Sequence, residues 1–303
     1  MNEIKLPENH KYIAVLLTMG CNLDCSFCLN AFSSKHFDRK VFGEIKGDDW
    51  VKGLNRIESR PDVPITFSGG EPFLHKGFIY ILNNLRKDTG IDILTNLQWG
   101  NKGIERFIGG VNPARINRES PYPQIRISYH PEQMPDAEKL VGNAKKLQNA
   151  GFNVGIYAVQ YPSPKQLEAI TQMQFLCKNG GVEFRVKDFT GKYKGTDDSG
   201  REFSITYGNY SKYPNSAFSQ QTKSCLCKTS ELLLGPNADV YRCHRDMYSG
   251  EGAVGNLLDS SFEIKDEFRS CSKYGQCHPC DVKAKTNFKQ ELGHTSVEIK
   301  NIK

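Results

Sequence analysis

An α/β fold on a parallel sheet, open or closed only into a partial barrel, is what the sequence predicts, with a smaller cysteine-rich unit after it. Three observations carry this. Six β-prone runs alternate with helix-like stretches between residues 12 and 189. The length, 303 residues, suits one large domain plus one small one. Ten cysteines fall into two groups, three at 21–28 and six at 225–280, with Cys177 apart.

The strand-like runs are Tyr12 to Thr18, Ile65 to Ser68, Ile91 to Thr95, Gln124 to His130, Asn153 to Gln160 and Val182 to Phe189. Amphipathic stretches lie at Asp48 to Ser59, Gly77 to Thr89, Pro135 to Ala150 and Pro164 to Asn179. Six strands are too few for a full eight-stranded barrel. The reading divides the chain into a barrel at 1–190, a Gly-, Ser- and Tyr-rich linker at 191–224, and a cysteine-rich unit at 225–303. That last unit is too short to hold together by apolar packing alone, so metal ligation is expected to stabilise it.

Composition excludes several classes. With 24% charged and 38% hydrophobic residues the bulk is neither disordered nor a coiled coil. No apolar run is long enough to span a bilayer, and Met1 to Lys11 lacks a signal-peptide apolar region. The expected location is therefore cytoplasmic, away from membranes. A net charge of +6 without a basic stripe gives no reason to expect nucleic acid. In a reducing compartment the cysteines are free for metals or catalysis.

The strongest chemistry follows the first strand. Cys21, Cys25 and Cys28 form C-x3-C-x2-C. Three thiolates on one loop suit three irons of a [4Fe-4S] cube and leave the fourth open to a ligand. Structural zinc, the alternative, prefers four closed ligands. The second strand ends in Ser68-Gly69-Gly70-Glu71-Pro72, where two glycines permit close backbone approach and a carboxylate can meet an ammonium group.

Together these motifs resemble the radical S-adenosylmethionine (SAM) superfamily, with Phe27 as the aromatic before the last cysteine. The resemblance implies a partial (β/α)6 TIM-like barrel. It implies that Cys21, Cys25 and Cys28 ligate the cluster and that SAM chelates its open iron. Gly69, Gly70 and Glu71 would hold the methionine amino group. One electron, from a donor such as flavodoxin or ferredoxin, would then release a 5′-deoxyadenosyl radical that takes a hydrogen atom from substrate. Ser128 matches the family's ribose contact at the end of the fourth strand, with His130 and Asn96 nearby. Adenine contacts would be largely backbone, around Ala158.

Period two places Arg126, Ser128 and His130 on one face of their strand, and Glu183, Arg185 and Lys187 on one face of theirs. In a barrel these polar faces line the interior. The cations Arg126, His130, Arg185 and Lys187 point to an anionic substrate group.

The second cysteine group resembles the SPASM and twitch extensions of radical SAM enzymes. Cys225 leads through Gly235-Pro236-Asn237-Ala238-Asp239 to Val240-Tyr241-Arg242-Cys243, and Cys277 and Cys280 close the segment. Ala238 and Arg242 stand where the family has Gly and Pro. Cys225, Cys243, Cys277 and Cys280 would hold an auxiliary [4Fe-4S] cluster beside the barrel mouth, with Cys227 an alternative to Cys225. Such a cluster would accept an electron or cap the site. Cys227 and Cys271 are left over, available as hydrogen-atom donors of the kind some epimerases of the superfamily use. A four-thiol zinc ribbon is the alternative for this segment.

The expected function is hydrogen abstraction from a small polar, anionic substrate, leading to oxidation or epimerisation. A radical SAM peptide maturase is the alternative within the class. The barrel beginning within a dozen residues of Met1 argues for the small substrate, since peptide maturases often carry a recognition domain first. A non-catalytic zinc- or iron-sulfur-binding interaction protein is the alternative from another class.

Overall fold

A computed structural model describes residues 2–26, 28, 45–189, 191–207, 223–274 and 297–302. Phe27, Cys277 and Cys280 lie outside the described residues. Six parallel strands follow the chain in order: β1 (Tyr12–Thr18), β2 (Ile65–Gly69), β3 (Ile91–Thr95), β4 (Ile125–Tyr129), β5 (Val154–Gln160) and β6 (Glu183–Asp188). The ends of each coincide with its sequence-predicted run or fall next to them.

Helices α1 (Gly47–Leu54), α2 (Phe78–Asn84), α3 (Gly100–Gly110), α4 (Ala137–Asn149) and α5 (Pro164–Gly180) connect them. The ends of α4 and α5 are written locally. Asp136 accepts from the Lys139 N–H at 2.9 Å to start α4. Ser163 caps α5 with Pro164 in its first turn, and Gly181 closes it at φ 67°.

Helix α3 escapes the sequence reading because it carries Gly100, Gly103, Gly109 and Gly110 and only a few apolar positions. Glycine is a poor helix former. Here Gly103 serves packing, since a Cβ there would stand 2.7 Å from Trp99 Cβ, while Ile104 and Phe107 are buried. Helix α1 is also shorter than the stretch read for it, ending at Leu54 before a bridge between Ile57 and Ile4.

Strand alternation divides the sheet as expected. Ile13, Val15 and Leu17 join Ile65, Phe67, Ile91, Ile93, Ile125, Ile127, Val154 and Ile156 in the core under the helices. The other face carries Asp92, Arg126, Ser128, Arg185 and Lys187 along β3, β4 and β6, and Gly155, Tyr157 and Val159 along β5. Along β1 it is apolar, where Tyr12, Ala14 and Leu16 pack with Met19, Leu233, Tyr241 and Met247. Buried on both faces, β1 reads as a continuous apolar run.

Beyond residue 190 the chain does more than link. Strands β7 (Gly191–Thr196) and β8 (Glu202–Tyr207) form a hairpin inside the segment read as linker. Strand β9 (Lys223–Thr229) pairs with β13 (Arg269–Tyr274) and β14 (Val297–Asn301). Between these, β10 (Glu231–Leu234), β11 (Asp239–Tyr241) and β12 (Ala253–Asn256) extend the main sheet outward from β1. β10 runs parallel to β1, pairing Tyr12 with Glu231 and Val15 with Leu234. Among the described residues the sheet thus has nine strands, with no closure into a barrel, and the predicted boundary at residue 225 does not interrupt it. The last helix described, α6 (His244–Ser249), follows β11.

Arg56 fastens the returning chain to the first βα unit. Its guanidinium donates to the carbonyls of Leu257 at 2.8 Å, Asp259 at 2.7 Å, Ser260 at 3.1 Å and Asn2 at 3.0 Å. Arg56→Leu strands these acceptors, and we expect a loss of about 3 kcal/mol in denaturant unfolding. An unchanged midpoint would show that the latch contributes nothing.

Candidate active site

The cysteine loop leaves the C-terminal end of β1, and the Gly-Gly-Glu turn leaves the adjacent end of β2. Ligands of open α/β sheets bind at this end of the strands. The two turns are joined by backbone hydrogen bonds, from Gly70 N–H to Thr18 O and from Glu71 N–H to Gly20 O, both 2.8 Å. This contact explains the glycines. A Cβ on Gly69, whose φ is 125°, would lie 2.2 Å from Thr18 O, and one on Gly70 would lie 1.9 Å from Gly20 O. What approaches these residues is the root of the cysteine loop itself.

Glu71 also differs from expectation. It is fully buried, and its carboxylate is committed to its own chain. Oε1 accepts from the Thr95 hydroxyl at 2.8 Å, the Trp99 indole N–H at 3.0 Å and the Phe73 N–H at 3.3 Å. Oε2 accepts from the Asn96 N–H at 2.7 Å. Burial pushes this carboxyl above its ordinary pKa, and the four donors oppose that rise. A side chain so occupied braces the turn against the segment after β3.

Asn96 extends this frame to the cysteine loop. Its side-chain amide donates to Asn22 Oδ1 at 2.7 Å and lies 3.7 Å from Cys21 Sγ. The Leu23 N–H donates to the same sulfur at 3.4 Å. On the far side, Glu132 grips Ser26 through its N–H at 2.6 Å and its hydroxyl at 2.8 Å. The root of the loop is therefore held by the end of β2, and Cys21, Asn22 and Ser26 by the segments that follow β3 and β4. Cys25 is buried, and Cys21 and Cys28 are half-buried.

Ser128 is half-buried on the interior face, opposite Tyr157 of β5. His130 follows the last residue of β4, and burial drives its pKa down to about 4, with Lys187 adding to the fall and Glu132 opposing it. It is a neutral imidazole at physiological pH. Ala158 sits in the ladder between Tyr129 and Val186 with its methyl in the helix-side core, so it offers only backbone.

The interior cations divide. Arg126 is buried and lies 3.7 Å from Asp92, which also pairs with Arg118 at 2.5 Å. Arg185 pairs with Glu183 and donates to Pro121 O at 2.8 Å. Arg185 is matched by Glu183, whereas Arg118 and Arg126 share the one Asp92 carboxylate. Lys187, nearest the C-terminal end of β6, lies over the Tyr157 ring at 5.6 Å.

The described cysteines of the second group gather around β9, β13 and the start of α6. Cys225 and Cys227 alternate along β9, with Cys271 opposite Cys225 in register. Cys227 shares a hydrogen bond with Cys271, which together with burial raises its pKa, and Cys243 and Arg242 lie close enough to act on it. Arg242 donates to Ser270 O at 2.7 Å and ties the start of α6 to β13. The two cysteines left over in the sequence reading are thus in the midst of the group. No spacing rule singles them out, because the pairing of β9 with β13 brings them together. His244, next to Cys243, stacks on Tyr12 at 6.4 Å and pairs with Glu231 at 3.2 Å. Tyr12 opens β1, whereas Cys21 follows its last residue. Cys243 therefore lies toward the end of β1 opposite Cys21. Among the described residues no three His, Cys, Asp or Glu side chains converge to hold a single metal ion.

A sequence profile described as the radical SAM superfamily matches residues 15–172, just over half of the chain, from within β1 through β5. The chain belongs to the radical SAM superfamily. This radical SAM chain is 31% identical over 93 residues to the sporulation killing factor maturation protein SkfB of Bacillus subtilis (strain 168). That match covers 29% of the chain and only 21% of SkfB. Two solved structures of anSMEcpe with bound AdoMet, one of the histidine-tagged protein and one of the native protein, share the fold at a TM-score of 0.50. Their identities are 13% and 14%, covering 82% of this chain and 75% and 78% of theirs. Radical SAM enzymes employ a [4Fe-4S] cluster and SAM. No helix among the described residues is long and apolar enough to cross a membrane.

In Glu71→Gln the amide nitrogen replaces an oxygen that accepts a hydrogen bond, leaving a buried donor unmatched. We expect a loss of roughly 1–3 kcal/mol in stability, read by denaturant unfolding. Wild-type stability in this variant would show that the buried carboxylate does not organise the turn.

Proposed function

We propose that this radical SAM enzyme holds its cluster through Cys21, Cys25 and Cys28 and abstracts hydrogen from a substrate lying over the polar interior face. The observation that carries this is the bracing of one three-thiol loop against the Gly69-Gly70-Glu71 turn at the C-terminal end of the sheet. The donor set fits the cluster. Three thiols share a loop, and two N–H groups approach Cys21 Sγ, as suits sulfur carrying negative charge. When bound, the cluster and SAM supply one-electron cleavage of the sulfonium and a radical able to take hydrogen from carbon.

The chain's own residues orient and enclose. The carbonyls of Gly69 and Gly70 receive the methionine ammonium, while Glu71 keeps the turn in shape. Ser128 and the neutral His130 face the ribose as hydrogen-bonding groups, and Ala158 offers backbone near the adenine. Phe27, outside the described residues, retains its proposed place beside the cluster. Lys187, by its place near the end of β6, is the cation proposed to meet a substrate carboxylate or phosphate. The electron enters from a flavodoxin- or ferredoxin-type donor.

Two substrate readings follow. A small polar anionic substrate is favoured by Lys187 near the strand end. A peptide substrate is favoured by the likeness to SkfB, named as a maturation protein. The one-to-one pairing of Arg185 with Glu183 weakens the first and shifts the balance toward the peptide.

Residues 225–303 are proposed to hold an auxiliary [4Fe-4S] cluster through Cys243 with Cys225, Cys277 and Cys280. The closeness of Cys227 and Cys271 adds them as competing ligands. Anaerobic reconstitution is expected to give about eight irons and eight sulfides per chain. Cys25→Ala should retain about four and lose reductive formation of 5′-deoxyadenosine to background. Cys243→Ala should also fall to about four yet still cleave SAM. Cleavage surviving in Cys25→Ala would defeat the proposal, and zinc without sulfide would favour an interaction protein.

A further inference from the structure

Asn96 is buried at the end of β3, and its polar groups are tied to named partners. Its N–H donates to Glu71 Oε2 at 2.7 Å, and Oδ1 accepts from the Gln98 N–H at 2.8 Å. These two bonds fix the side chain, so the amide nitrogen points at the cysteine loop. One amide hydrogen serves Asn22 Oδ1 at 2.7 Å, and the nitrogen stands 3.7 Å from Cys21 Sγ, within reach of an N–H···S bond.

An N–H aimed at a cluster-ligating sulfur has a specific effect. Reduction adds negative charge that spreads onto the sulfurs, and a positive dipole end beside one of them stabilises the reduced form. We propose that Asn96 is a positioning residue that acts through Cys21 to make reduction of the cluster more favourable, with Glu71 and Gln98 locking its amide in that orientation. This rests on Cys21 being a cluster ligand, and the test separates the two statements.

The variant Asn96→Asp keeps an oxygen for the Gln98 N–H and the backbone N–H for Glu71, but replaces the amide donor with a carboxylate oxygen. Iron and sulfide content, and the midpoint potential by dithionite titration followed by electron paramagnetic resonance, are compared with wild type. We expect full cluster content and a reduction at least about tenfold less favourable, a shift of about 59 mV to more negative potential for one electron. Asn22→Ala removes the competing acceptor, releases the amide toward sulfur and moves the potential the opposite way.

Unchanged potentials in both cluster-loaded variants overturn the proposal. So does a folded Asn96→Asp chain without iron, which would mean that the residue builds the site and does not tune it. Should Asn96→Asp not fold, the sign of the shift in Asn22→Ala decides alone. Retention of the full iron content by Cys21→Ala would instead overturn the ligand assignment on which the proposal stands.

Discussion

The site depends on one buried carboxylate. Glu71 sits where β2 ends, yet its acceptors are filled from the end of β3 and the segment after it. Thr95, Asn96 and Trp99 all donate to it, and the Phe73 N–H closes its own turn. Withdrawing a carboxylate from water costs several kcal/mol, and each donor to a charged group returns about 1.5–3. No single donor offsets the burial, so the arrangement holds only when the ends of β2 and β3 are in place together. Through the Glu71 N–H and Asn96, the same group fixes the root and the first cysteine of the loop.

The interior face follows a related rule. Arg118 and Arg126 share the Asp92 carboxylate, and Tyr122 joins them through its hydroxyl to Asp92 at 3.1 Å. Glu183 pairs one to one with Arg185. One carboxylate offsets only one of the two guanidiniums at Asp92, so the start of β4 keeps a net positive charge, while the pair on β6 is balanced. Ser128, His130 and Lys187 stand further along their strands than these pairs do. The division between scaffold and site therefore runs along the strands, with charge pairing toward their starts and hydrogen-bonding groups toward their C-terminal ends.

Much of this was legible because it is local. Runs such as Tyr12 to Thr18 and Ile125 to Tyr129 fix strands and their faces, and C-x3-C-x2-C lies within eight consecutive residues. What escaped depends on pairing across the chain. The glycines at 69 and 70 look like room for a ligand, and only the approach of Thr18 and Gly20 shows what fills that room. Arg126 looks like a ligand-binding cation until Asp92, on a neighbouring strand, is seen beside it. Helix α3 hides behind its glycines, of which Gly103 admits Trp99 and Phe73. The place of β10 beside β1 carries no local signal at all.

That last pairing bears on how the two thiol groups relate. β10 follows β9 after a single residue, and its register sets Glu231 beside Tyr12 at the start of β1. The return along β11 then brings Cys243 back toward the same end, near His244 and Tyr12. The length of β1 separates that end from the loop of Cys21, a span of about 20 Å. The interior along β1 is filled by Leu16, Met19, Leu233, Tyr241 and Met247, so the direct line between the two groups passes through packed apolar side chains. The face of β4 and β6, with Ser128 and Lys187, is the place proposed for a substrate. A second redox group toward the start of β1 would then face the substrate from the end opposite SAM. Under the cluster assignments proposed above, hydrogen removal at one end and electron removal at the other would not compete for the same opening.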